Sequence, residues 1–65
     1  MKLYIREWAE YRGLTIPALG RRADLSPHAM QRAAADEGVR TTTLEAIARA
    51  LGVTVGDLFQ PPPES

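Results

Sequence analysis

Twice in this chain a hydroxyl residue stands just ahead of a proline, as Thr15-Ile16-Pro17 and as Ser26-Pro27. Proline lacks an N–H and holds φ near −65°, so a helix accepts it only in the first turn, where N–H groups have no intrahelical acceptor. A Thr or Ser just before it caps the N–H groups that remain. The two devices predict two helix starts so close together that the helix between them must be short. Helix 2 is expected over about 16–23 and helix 3 over about 27–35, separated by Asp24 and Leu25 alone.

The rest of the chain is punctuated in the same way. Lys2 to Arg12 places Ile5, Trp8 and Arg12 on one stripe, with Met1 a turn earlier, and Gly13 ends this helix 1. Leu3-Tyr4-Ile5 alternates like a short strand, but no partner strand is evident. Thr42-Thr43-Leu44-Glu45 reads as a capping box that opens helix 4, whose stripe Leu44, Ile47, Ala48 and Leu51 runs to Gly52. Thr54 to Asp57 is a weaker cap for a short helix 5 that carries Val55, Leu58 and Phe59. Pro61-Pro62-Pro63-Glu64-Ser65 cannot continue a helix, so 1–60 is expected to be the domain and 61–65 a flexible, Pro-rich tail.

Size narrows the function. Of 65 residues 45% are hydrophobic, but ten of these are Ala, which leaves 19 larger apolar side chains for a core. Such a core suits an all-α bundle and has little room for a deep catalytic cleft. No Ser/His/Asp set, carboxylate cluster or phosphate loop is present, so an enzyme is not expected, and neither is a cofactor. With no Cys and one His, a disulfide framework and a zinc site have no ligands to draw on. No stretch approaches the roughly 18 apolar residues of a membrane span, and Met1 to Glu7 has no signal-peptide apolar region, so a cytoplasmic location away from membranes is expected. The expected buried set is Ile5, Trp8, Leu14, Leu19, Leu25, Met30, Leu44, Ile47, Leu51 and Leu58.

Formal net charge is zero, which argues against clinging to a polyanion by bulk attraction. The charge is nevertheless polarised. Residues 1–32 carry six basic against three acidic groups, and residues 33–65 carry two against five.

Two short helices joined by a tight turn form a helix-turn-helix, whose second helix can lie in the DNA major groove. Gly20 in mid-helix costs about 1 kcal/mol against Ala, which calls for a packing reason such as close passage of helix 3. Asp24 falls where a left-handed backbone is expected, and Asp is among the few non-Gly residues that tolerate it. Leu19, Leu25, Met30 and Ala33 are expected to face inward and lock the pair. An ordinary helical hairpin is the plainer reading of the same pattern.

From Ile5 to Phe59 the chain resembles the phage-repressor/Cro type of helix-turn-helix domain, often called Xre-like. The resemblance rests on Gly13-Leu14-Thr15, Leu19-Gly20 and Leu25-Ser26, and most specifically on Leu44-Glu45-Ala46-Ile47-Ala48-Arg49-Ala50-Leu51-Gly52-Val53-Thr54-Val55-Gly56-Asp57-Leu58-Phe59. It implies a five-helix bundle of the lambda-repressor-like type, a DNA-binding transcriptional regulator, and a bacterial, archaeal or phage source in which the protein associates with the nucleoid. Several positions depart from the family pattern. The family's frequent Arg in helix 1 and Glu ending helix 3 fall on Ala9 and Ala34, a paired loss that leaves no buried charge unmatched. Ile16 stands where a DNA-touching Gln often opens helix 2, and the stretch from Ala33 to Gly38 lacks the usual Glu-x-Gly.

The resemblance places base-reading positions on Pro27, His28 and Arg32, with Gln31 beside them. Arg suits guanine O6/N7, Gln suits adenine N6/N7, and Pro27 can pack only on a thymine methyl. His28 could equally be a solvent-facing ring in a first helical turn. Arg21, Arg22, Arg40, Thr42 and Thr43, together with the Thr15 hydroxyl at the start of helix 2, are phosphate candidates. Arg49 reads as a surface ion pair with Glu45. Tyr4, Trp8 and Tyr11 could suggest stacking on single strands, but their helical spacing favours packing, with the tyrosines covering Trp8.

One recognition helix spans too few base pairs for genomic specificity, so a homodimer on double-stranded DNA is expected. Val55 and Phe59, in an apolar C-terminal run, are the interface candidates. No small-molecule effector is evident. A protein-interaction module that kept the fold and lost DNA binding is the competing reading, supported by net neutrality and the missing Gln.

Overall fold

A computed structural model of the chain describes residues 2–35 and 37–63; Met1, the tail residues Glu64 and Ser65, and Asp36 lie outside it. Four α-helices, α1 (Ile5–Tyr11), α2 (Ile16–Arg22), α3 (Pro27–Ala34) and α4 (Thr41–Leu51), are followed by one 3-10 turn, Gly56–Phe59. The described residues are all-helical with no strand. In place of the expected fifth α-helix stands that single 3-10 turn.

The expected caps form at α2 and α3. Thr15 Oγ1 accepts from Ala18 N–H and Ser26 Oγ from Ala29 N–H, each at 3.2 Å, with Pro17 and Pro27 in the first turns. At their other ends α1, α2 and α4 stop in one way, through a residue with positive φ: Gly13 (71°), Asp24 (58°) and Gly52 (73°). The residue after each donates its N–H back five positions, Leu14 to Ala9 O (2.7 Å), Leu25 to Gly20 O (2.8 Å) and Val53 to Ala48 O (2.9 Å). This closes the last carbonyls of the helix and reverses the chain. Asp24 takes a conformation that Gly13 and Gly52 adopt without steric cost.

Three expectations are corrected at helix starts and on the surface. Helix α1 begins at Ile5 rather than Lys2; Tyr4, its N-cap, donates its N–H to Leu58 O (2.8 Å), which ties the chain ahead of the helix to the far end of the domain. The Thr42–Glu45 capping box does not form. Arg40 is already the N-cap of α4, with no side-chain cap, and Leu44 N–H bonds its carbonyl at 3.0 Å, so Thr42 lies inside the helix. A reciprocal box appears instead at Thr54 and Asp57, where each side chain accepts from the other's N–H (3.0 and 3.2 Å). Glu45 and Arg49 do not pair; among the described residues the ion pair within 4 Å is Lys2–Glu7, at 3.9 Å and exposed.

The core joins Ile5, Trp8 and Ala9 of α1, Leu19 of α2, Met30 and Ala33 of α3, Leu44, Ile47, Ala48 and Leu51 of α4, and Leu58. Leu14 and Leu25, expected inside, are half-buried, because each follows a positive-φ residue and covers a helix end instead of the centre. Ala9, not expected in the core, is 1% exposed.

Trp8 ties the two ends of the chain together. Its indole N–H forks to Asp57 O and Gln60 O, both at 2.9 Å, while Tyr11 lies edge-on to its ring at 5.6 Å. Trp8 is therefore a packed side chain and not a stacking platform. Replacing Trp8 by Phe keeps most of the apolar volume but removes the forked donor, and it should cost about 1–3 kcal/mol. Trp8→Ala should cost about 3–5 kcal/mol, close to the whole stability of a domain this small. Urea unfolding of the two variants measures both losses; an unchanged midpoint for Trp8→Ala would refute the core placement.

Candidate nucleic-acid interface

The position of α3 follows from one close approach. A methyl group on Gly20 would come within 3.1 Å of Met30 Cγ and 3.2 Å of Met30 Cβ, tighter than ordinary van der Waals contact. With hydrogen in place of that methyl, α3 passes against α2 and seals Met30, 1% exposed, beneath it. The left-handed Asp24 and the Leu25–Gly20 hydrogen bond fix where α3 starts.

With Met30 and Ala33 fixed inward, helical geometry at about 100° per residue decides what faces out. Pro27 and Gln31 lie within about 40° of each other, and His28 and Arg32 lie about 100° further round, opposite the buried pair. All four are exposed. The sequence-predicted readers therefore form one outward face of α3.

The structure divides this face between two recesses. On one flank His28 and Arg32 line a recess of about 200 Å³ with Arg40 and Thr43, together with Ser26 and Glu37. The Arg32 guanidinium lies back over the loop ahead of α4, where a methyl on Gly38 would stand 3.8 Å from Nη2. On the other flank Pro27 and Gln31 line a groove of about 240 Å³ with Arg21 of α2, walled by apolar side chains. Arg22 and Thr42 are exposed and line neither recess. Thr15, as an N-cap, uses its hydroxyl oxygen as acceptor and keeps its O–H free to donate.

Three residues of this surface, Ser26, Glu37 and Pro17, are not among the contacts that the sequence predicts. Ser26 was legible only as a cap, yet its hydroxyl opens onto the His28–Arg32 recess and, like that of Thr15, keeps a donor. Glu37 brings a carboxylate into the same recess, and nothing in its sequence context signals that. Pro17, expected only as a first-turn residue, walls the other groove together with Ile16, which stands at the position of the family's DNA-touching Gln. Val55 and Phe59 lie apart from these groups, half-buried and packed against the core of their own chain. No helix among the described residues is long and apolar enough to cross a membrane.

A surface of exposed guanidinium, amide and imidazole groups on one short helix, flanked by further arginines and hydroxyls, offers donors to base edges and phosphates together. No curated protein and no solved structure matches the chain. The sequence pattern of the Cro/C1-type HTH DNA-binding domain matches it over residues 5–64, nearly its full length. With the capped α2, the left-handed Asp24 turn and the outward face of α3 already in place, the chain belongs to the Cro/C1-type helix-turn-helix DNA-binding domain family.

Proposed function

We propose that the protein is a sequence-specific transcriptional regulator of double-stranded DNA, of the Cro/repressor kind, that reads the major groove with α3. The observation that carries this reading is the outward grouping of Pro27, His28, Gln31 and Arg32 on a helix whose opposite side is buried. A major groove about 12 Å wide admits one helix, and the four side chains then meet base edges. Arg32 reads guanine, Gln31 adenine, His28 a base edge or phosphate, and Pro27 supplies apolar contact. Thr15, Arg21, Arg22, Arg40, Thr42 and Thr43 hold the backbone from both sides of α3.

Zero net charge does not oppose this role, since the local charge of the reading face sets attraction within a Debye length of about 8–10 Å. The domain spans 1–60, with Gln60 held by Trp8, and 61–65 forms a tail beyond it. Its place of work is the cytoplasm, on the nucleoid. A single α3 covers a few base pairs, so the working form is a homodimer on two half-sites about one helical turn apart. Val55 and Phe59 supply its interface.

A salt titration of duplex binding tests the reading. Log affinity should fall steeply with log salt, by about 0.9 for each phosphate neutralised. A flat slope would mean a helix-turn-helix module that no longer binds DNA. Arg32→Ala should lose about 1–3 kcal/mol on the preferred duplex and relax its sequence preference. Arg21→Ala or Arg22→Ala should weaken all duplexes alike and reduce the slope by about one. Equal losses on every sequence for Arg32→Ala would make Arg32 a phosphate contact.

Sedimentation with and without a two-half-site duplex tests the assembly. Wild type should form a dimer on DNA and Phe59→Ser should not. A wild type that stays monomeric, and binds one half-site as tightly as two, contradicts the dimer; a Phe59→Ser variant that dimerises normally contradicts only the interface.

A further inference from the structure

The groove between α2 and α3, about 240 Å³, is walled by Ile16, Pro17, Leu25, Pro27 and Met30, with Gly20 beside Met30. Its polar side chains are Arg21 and Gln31, and no carboxylate lines it. Pro17 and Pro27 have no N–H, so two first-turn positions that would otherwise present donors present only C–H groups. Apart from Arg21 and Gln31, the side chains lining this groove therefore offer apolar contact and no hydrogen-bond partner.

Each base pair presents hydrogen-bonding atoms in the major groove, and thymine adds one apolar group, its C5 methyl. We infer that this groove is a specificity pocket for the C5 methyl of a pyrimidine, thymine or 5-methylcytosine, with Ile16, Pro17 and Pro27 as the residues that receive it. The inference rests on α3 lying in the major groove. Duplex DNA is the occupant because the groove is continuous with the reading face: Pro27 and Gln31 belong to both. Its one charged side chain is cationic, which suits a polyanion. The methyl enters beside Gln31, so an apolar contact and an amide contact fall on neighbouring base pairs.

The test uses the full chain and a duplex selected by it from a random pool. Each thymine is replaced in turn by deoxyuridine, which removes the methyl and leaves every hydrogen-bonding group. At one thymine per half-site, affinity for the wild type should fall about four-fold, the worth of one buried methyl-sized group. Cytosine at that position should bind more weakly than 5-methylcytosine by a similar factor. In Ile16→Gln, Pro17→Ser and Pro27→Ser, checked for helical content by circular dichroism, the deoxyuridine penalty should vanish; the two proline variants carry the test if Ile16→Gln fails to fold. Tight binding with no deoxyuridine effect overturns the methyl pocket and leaves DNA reading intact, whereas no bound duplex at low salt overturns both. A penalty that persists in the folded variants places the methyl elsewhere. If the variants alter self-association of the free protein while the penalty persists, the groove holds protein, and the inference also falls.

Discussion

The approach of Met30 to Gly20 is the constraint on which the rest of the interface depends. A methyl on Gly20 would stand 3.1–3.2 Å from the Met30 stem, tighter than ordinary contact, so at this point the two helices meet through backbone on one side and a methionine stem on the other. That contact sets which stripe of α3 is buried, and helical periodicity then determines which stripe is exposed. Because Met30 and Ala33 are inside, Pro27, His28, Gln31 and Arg32 have to be outside. The outward placement of these four side chains follows from packing.

The approach is held from both ends. On the turn side, Asp24 adopts the left-handed conformation and Leu25 N–H returns to Gly20 O, the residue against which Met30 packs. On the core side, Leu19, Met30, Ile47, Leu51 and Leu58 belong to one buried cluster, and the Leu58 end is tied down where Tyr4 N–H binds its carbonyl and the Trp8 indole clasps Asp57 and Gln60. A chain this small without disulfides has few ways to fix a terminal segment. Closing the first helix onto the last turn by hydrogen bonds is the way adopted here.

What could be read from the sequence was what neighbouring residues decide. Hydroxyl-proline pairs located α2 and α3, Gly13 and Gly52 located two helix ends, and an Asp where a turn was needed pointed to positive φ. Part of what could not be read depends on distant groups, and part on which of two local caps forms. Helix α1 starts late, with its N-cap Tyr4 bonded to Leu58 far along the chain, and α4 starts early because Arg40 reaches an N-cap geometry without side-chain help. The Thr-x-x-Glu pattern at 42–45 matched a capping box in composition, but the reciprocal bonds form at Thr54 and Asp57, whose pattern looked weaker. The four proposed readers come from the family resemblance. Their division between a polar recess and an apolar groove was not legible there, since it needs α2 and the loop before α4 in position on either side of α3.

The most direct measurement of the central claim, that packing against Gly20 turns this face of α3 to DNA, is amide chemical-shift mapping of the full chain titrated with its selected duplex. The account predicts the largest changes at His28, Gln31 and Arg32, with smaller ones at Thr15, Arg21, Arg22 and Arg40 to Thr43, and little change at Glu10, Tyr11 and Arg12 of helix 1. A map in which His28, Gln31 and Arg32 keep their free-state shifts while the helix 1 surface moves would contradict it.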